Sequence, residues 1–219
     1  MKKMQAAFAL LAMFCLIPMQ YAYAEGLYGG IGFGRSSTDL DTSDARRAQQ
    51  DLQSLGVTVT LDVDQKDTGK KLFIGYLINP NFAIEGEYVD FGESTLYLLA
   101  SMGALHSQAD ADFRAKGFGV SAVGFIPVGD IISLIVKGGI FHSTADTNES
   151  YSSNLGDEQW SDSERVAKTH PFLGLGAQVA VTKTFSVRLE HEFFQNIGDE
   201  EKTGETDIGL TTVALVFKF

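Results

Sequence analysis

Eight segments of period-two alternation, joined by connections that are short and long in turn, constrain this 219-residue chain more than any other feature. The segments lie at about 26–34, 69–78, 82–91, 113–125, 131–142, 169–181, 185–194 and 208–219. Apolar residues at every second place mark a strand with one face against an apolar medium. In the fifth segment Ile132, Leu134, Val136, Gly138 and Ile140 share a face opposite Ser133, Lys137 and Gly139. In the seventh, Val187, Leu189, His191 and Phe193 oppose Ser186, Arg188, Glu190 and Glu192. The second sets Leu72, Ile74, Tyr76 and Ile78 against Lys71, Phe73 and Gly75, and the eighth sets Thr211, Val213, Leu215, Phe217 and Phe219 against Thr212, Ala214, Val216 and Lys218.

The connections decide between a soluble and a membrane sheet. Asn79-Pro80-Asn81, Pro127-Val128-Gly129-Asp130 and Thr182-Lys183-Thr184 are tight turns. The others, near 35–68, 92–112, 143–168 and 195–207, are long and polar. Three short and four long joins among eight antiparallel strands gather every long one at the same end. That is the layout of an outer-membrane barrel, with short periplasmic turns and longer external loops. The fold class expected is therefore all-β, an eight-stranded antiparallel up-and-down transmembrane β-barrel. Closure pairs every backbone N–H and C=O, as lipid requires. Eight strands leave an interior just wide enough for side chains to fill. A soluble periplasmic ligand-binding barrel is the competing fold, and it needs the larger apolar residues inside a narrow lumen.

Charge follows the same division. The chain carries −11 overall, while the four long connections together carry −14. Such an acidic surface argues against nucleic acid as a partner. Residues 1–24 read as a secretory signal peptide: Lys2 and Lys3, a 12-residue apolar run from Ala6 to Ile17, and Ala22-Tyr23-Ala24 before the cut. The barrel domain is then 25–219, without cysteine, since Cys15 falls in the leader. The expected location is the outer membrane of a Gram-negative bacterium, after cleavage near Ala24.

Strand parity collects charged side chains on the inner face: Glu85 and Glu87 on the third strand, Lys137 on the fifth, and Arg188, Glu190 and Glu192 on the seventh. Lys116 on the fourth is a further candidate on weaker parity. Charges in a narrow interior must pair, so these residues form a lumen charge network. The network either fills the barrel and fixes its register, or plugs a small passive pore.

Catalysis and metal binding each have candidate residues in the sequence. Some eight-stranded outer-membrane barrels modify lipid A with His and Ser near the rim, and His142-Ser143, His170, His106-Ser107 and His191 are the residues on offer. A His must reach the Ser hydroxyl and be oriented by an acid. Adjacent His142 and Ser143 point to opposite faces of a strand, so no catalytic site is assigned. Asp39-x-Asp41 and Asp62-x-Asp64 offer oxygen ligands without the 12-residue loop of an EF-hand. They read as solvated acids, and no metal or cofactor is expected.

Two connections carry structure of their own. Ser43 to Leu55 is rich in helix formers, with Ser43 to cap it, Gly56 to end it, and a stripe of Ala45, Ala48, Leu52 and Leu55. The expectation is a short helix over the barrel mouth. Leu96, Tyr97, Leu98 and Leu99 are too apolar for a free loop. They imply a protruding hairpin from strands three and four, with a surface contact to a host or other external ligand as its functional reading.

Pro171 to Asp199, PFLGLGAQVAVTKTFSVRLEHEFFQNIGD, resembles the last third of the OmpA-type transmembrane barrel, and GYLINPNFAIEGEY at 75–88 and Leu215-Val216-Phe217-Lys218-Phe219 fit the same pattern. The resemblance implies an OmpA/OmpX-like small surface protein without a cell-wall tether, because the chain stops at its last strand. It implies that Phe217 and the terminal Phe219 are read by the barrel-assembly machinery. It also implies an inner Glu–Arg pair, which maps onto Glu85 and Arg188, while the family's second inner acid is Gln178 here. The function expected is structural or surface-interacting (envelope integrity, adhesion), at most a small passive pore. The chain is expected to be a monomer in contact with outer-membrane lipid and lipopolysaccharide.

Overall fold

The computed structural model describes residues 26–38, 43–64, 66–102, 105–154, 158–199 and 204–219. The leader expected at 1–24 lies outside them. In chain order the elements are β1 (Gly26–Thr38), α1 (Ser43–Ser54), β2 (Thr58–Asp64), β3 (Lys66–Asn79), β4 (Phe82–Met102), β5 (Leu105–Pro127), β6 (Ile132–Ser153), β7 (Glu158–Ala180), β8 (Phe185–Asp199) and β9 (Gly204–Lys218). Every strand pairing is antiparallel, and β4–β5 closes the ring. The closed circuit runs β1-β3-β4-β5-β6-β7-β8-β9 and back to β1, eight strands in all. The ninth strand, β2, pairs with the outer part of β4 from Thr58↔Ser101 to Asp64↔Thr95, so it continues the line of β3 beyond the barrel.

All three tight turns lie where the sequence puts them, and Phe125 N donates to Asn81 O (2.8 Å) across the first two of them. The hairpin expected at 92–112 forms, whereas the connection at 143–168, expected as loop, is a second hairpin. Residues 92–112 and 143–168 are mostly strand: β4 with β5, and β6 with β7, rise as paired hairpins. β5 alone has 23 residues, about 75 Å along the strand. A tilted hydrocarbon crossing takes only about 10 residues, so roughly half of each hairpin stands outside it. Sequence alternation misses the second hairpin because Ser, Thr, Asp and Glu occupy both faces where both meet water.

The ladder shifts register at three places, one between Leu77 and Asn79 beside the first tight turn and two that carry a left-handed residue. In β4 the register shifts between Asp90 and Glu93, where Gly92 takes φ 81°. This left-handed conformation favours glycine. The β8 register shifts between Phe194 and Ile197, with Asn196 at φ 58°.

Outward faces carry exposed Leu27, Ile31, Phe33, Leu72, Ile74, Phe118, Val120, Leu173, Leu175, Leu189, Val213 and Leu215. Phe118 is 66% exposed, far from what a chain surrounded by water tolerates around its whole waist. Inside lie two apolar layers. One is built on Phe91, Phe113, Phe141, Phe172, Phe194, Ile197, Ile208 and Leu210. The other, nearer the tight turns, holds Tyr28, Phe73, Leu77, Val123, Phe125 and Ile135. Phe91, Phe141, Phe172 and Phe194 interlock with ring centroids 4.8 to 6.3 Å apart.

α1 forms over the expected residues, and Gly56 ends it at φ 81°. Its contacts correct the expected place over the mouth. It packs against β2, with the side-chain amides of Gln49 and Gln53 each donating to Val59 O at 3.4 Å.

Candidate functional site

Between the two apolar layers lies a sheet of buried charge. Glu85 and Glu87 point inward from β4, Lys137 from β6, and Arg188, Glu190 and Glu192 from β8, each 0–4% exposed. Sequence parity places all six on the inner face. Lys116 does not join them: it lies on the outward face of β5 and is exposed. In its place the structure brings in Lys71 from β3, 3% exposed, a residue the sequence puts on the inner face without signalling its role.

Lys137 is the hub. Its ammonium lies 2.6 Å from Glu85 Oε1 and 2.9 Å from Glu192 Oε1, and it also pairs with Glu87 Oε2. Lys71 reaches Glu190 Oε2 and Glu192 Oε2 at 2.8 Å each, and Glu87 Oε2 at 3.3 Å. Arg188 Nη1 donates to Glu85 Oε2 (2.8 Å), and its Nε donates to Gln178 Oε1 (2.9 Å). Tyr28 Oη donates to the same Glu85 Oε2 at 2.9 Å. The guanidinium also lies 4.8 Å from the Phe73 ring centroid, so its planar face is covered as well as its donors. Gln178 thus takes the place of the second inner acid and still binds the arginine.

Three cations and four carboxylates make this layer, all removed from water. Desolvation costs several kcal/mol per ion, recovered only with multiple good partners. Each cation here has at least two. Such a layer fixes strand register, since a one-residue slip turns every one of these charges outward. It also fills the lumen. On the side of the tight turns only a cavity of about 40 Å³ remains, lined in part by Tyr28, Gln178 and Arg188, room for about one or two waters.

Closer to the hairpins, Ser143 Oγ lies 2.9 Å from His170 Nε2, at 1% and 2% exposure. The pairing is absent from the sequence reading because it needs the β6–β7 register, Ser143↔Lys168, which puts His170 two residues along. Among the described residues no carboxylate bonds His170, and the apolar layer beneath the pair closes it off. His142 faces the other way and pairs with Thr169 Oγ1 at 2.9 Å, and His191 Nδ1 pairs with Thr211 Oγ1 at 2.8 Å on the outside. His106 sits at the hairpin tip beside Asn154.

Leu96, Tyr97, Leu98 and Leu99 are in β4, paired with β2 on one side and β5 on the other, and are half-buried. Asp62 and Asp64 sit on β2 opposite Tyr97 and Thr95; Asp39 and Asp41 lie outside the described residues. Phe217 pairs with Gly29 and Phe185 at the closing seam, and Phe219 N donates to Leu27 O at 3.0 Å with its ring turned outward. At the hairpin base Asp67 Oδ2 accepts the Glu93 N–H at 2.7 Å. Together with the Thr68 N–H this holds the Asp67 carboxyl below its ordinary range.

Comparison with known proteins agrees with this geometry. The family model for the OmpA-like transmembrane domain matches residues 22–219. Outer membrane protein A of Yersinia pseudotuberculosis is 28% identical over 152 residues, 69% of this chain and 40% of that protein. Outer membrane protein A of Klebsiella pneumoniae is likewise 28% identical, over 41% of its length. The chain therefore spans about two fifths of the length of these curated relatives. Among solved structures, Neisserial surface protein A superposes with a TM-score of 0.55 at 14% identity, covering 90% of this chain and 100% of that one. That likeness concerns the fold alone.

Proposed function

The chain belongs to the OmpA-like transmembrane domain family and resides in the outer membrane of a Gram-negative bacterium, and from that premise we propose that it is a sealed barrel whose work is done by its outer surface: it anchors and displays a rigid external β-sheet for contact at the cell surface. The observation that carries this reading is the filled lumen. Among the described residues seven buried charges lie between two apolar layers, and this filling argues against a transport role. What the chain offers outside is the continuation of β4 to β7, joined by β2 and braced by α1. These strands hydrogen-bond to one another well past the hydrocarbon layer, so the displayed surface is preorganised. Tyr151 and Trp160 stack near its tip with centroids 6.4 Å apart, and Trp160 is half-exposed. Aromatic anchors of this kind dominate protein contact surfaces.

Catalysis is not part of the reading. Among the described residues the Ser143–His170 pair is buried and no carboxylate bonds the imidazole.

The test is adhesion of intact cells, to epithelial monolayers and to matrix-coated wells, with residues 96–105 deleted. Loss of adhesion with normal surface display supports the reading. Wild-type adhesion by the deletion, together with wild-type adhesion by Trp160→Ala, removes the external sheet from the account.

A further inference from the structure

On the outward face of β3, β4 and β5 three rows of side chains stand one above another. The uppermost row is Lys70, Asp90 and Lys116; below it come Leu72, Tyr88 and Phe118; below that, Ile74, Gly86 and Val120. Gly86 has no side chain, and a Cβ there would find nothing nearer than backbone oxygens at 4.0 Å. Its place is the floor of an open apolar groove of about 980 Å³ that also reaches Gly29 on β1.

Tyr88 and Phe118 pair at 4.9 Å between the groove and the row of charge. Aromatic side chains of this kind mark the boundary between hydrocarbon and headgroups. The lysines stand just beyond that boundary, on the hairpin side and hence at the outer leaflet. They flank β4, roughly 9.5 Å apart at the backbone. Among the described residues neither ammonium has a carboxylate within salt-bridge distance, although the charge of Lys70 is felt by Asp67. Asp90 between them turns its Oδ1 to the Gly92 N–H (3.0 Å), in the bulge of its own strand. The neighbouring outward cations are engaged: Arg114 with Glu93 at 2.7 Å, and Arg165 with Asp146.

We propose that this groove and the two lysines above it form a site for a phosphorylated, multiply acylated glycolipid of the outer leaflet, the lipid A part of lipopolysaccharide. Its acyl chains lie over Gly86 between Leu72 and Val120, and its phosphates meet Lys70 and Lys116. Charge complementarity selects the ligand: two exposed lysines, without a salt bridge among the described residues, stand one short step above an apolar groove and match a diphosphorylated headgroup carrying several chains. The site belongs to one face of the barrel, since the floor of the groove depends on Gly86 and Gly29.

The test uses the full chain purified from outer membranes in mild detergent. Retention of diphosphoryl lipid A, monophosphoryl lipid A and phosphatidylglycerol is measured by native mass spectrometry and by titration. The expected order of affinity is diphosphoryl, then monophosphoryl, then phosphatidylglycerol. K70Q/K116Q weakens diphosphoryl lipid A about tenfold or more, the effect of losing charged hydrogen bonds to phosphate. Gly86→Leu weakens all three lipids by filling the floor, and its heat-modifiable migration stays that of the folded barrel. Arg165→Gln, already tied to Asp146, leaves binding unchanged. Equal retention by wild type and K70Q/K116Q overturns the proposal. So does equal affinity for phosphatidylglycerol and diphosphoryl lipid A, which reduces the groove to an ordinary lipid contact, or a loss in Arg165→Gln as large as that in the double variant.

Discussion

Replacing Lys137 by Met removes the hub of the buried charge layer and keeps most of its volume. In the native barrel Lys137 touches three of the four carboxylates, Glu85, Glu87 and Glu192. Each has another partner: Glu85 keeps Arg188 and Tyr28, while Glu87 and Glu192 both fall to Lys71, which already holds Glu190. Two cations then face four carboxylates. Breaking a buried pair by removing one member costs about 3–5 kcal/mol. With three partners affected at once, the upper part of that range is expected, about 4 kcal/mol or nearly a thousandfold in the unfolding equilibrium. Adding Glu87→Gln to Lys137→Met removes the carboxylate left with the longest contact, 3.3 Å to Lys71, and recovers about 1–2 kcal/mol. Urea unfolding of the refolded barrel in lipid vesicles, followed by tryptophan fluorescence and heat-modifiable migration, measures all three variants. A loss below about 1 kcal/mol in Lys137→Met, in the range of an exposed ion pair, refutes the reasoning. A double variant less stable than Lys137→Met refutes the partner count behind it.

Two other expectations rest on local geometry. At Gly75 an added Cβ overlaps the Tyr28 ring, whereas at Gly86 it meets only backbone oxygens at 4.0 Å, an ordinary contact distance. Gly75→Ala therefore costs about 1–3 kcal/mol through overpacking, and Gly86→Ala changes stability by less than about 0.5 kcal/mol, both read from the same urea titration. Asp67 supplies a pH dependence at the base of the β4–β5 hairpin. Its carboxyl is held below its ordinary 3.8 by the N–H groups of Glu93 and Thr68. Its contribution is fully present above 3.8 and is lost as pH falls through the lower folded value. Hydrogen exchange should show protection of the Glu93 amide fading only at the acid end, and Asp67→Asn should flatten that change; an acid-sensitive amide in the Asn variant contradicts the assignment.

The barrel was legible in the sequence because its two media differ so sharply. Wherever lipid faces one side of a strand and the packed lumen the other, residues alternate, as from Val187 to Phe193. The tight turns carry Pro, Gly and Asn, and the inner Glu85, Glu87, Lys137, Arg188, Glu190 and Glu192 follow from parity alone. Legibility ends where both faces of a strand meet water. Residues 143–168 read as loop because Thr144, Asp146, Glu149, Ser161 and Glu164 give no period, yet their backbone pairs continuously from Ser153↔Glu158 to Ser143↔Lys168. Partner choice is the second boundary. Lys71 is on the inner face by parity, but its position beside Glu190 and Glu192, about 120 residues away in sequence, depends on barrel closure. The contact of Ser143 with His170 likewise depends on register, and Lys116 shows the reverse case, a charge that weak parity places inside and the ladder places outside.

Conductance of the wild-type chain in planar lipid bilayers tests the central claim most directly. A lumen closed by the charge layer between its two apolar layers should show a quiet baseline on insertion, with insertion itself confirmed by protease protection of the barrel. Regular, unitary conductance steps from the inserted wild-type protein contradict the sealed-barrel account.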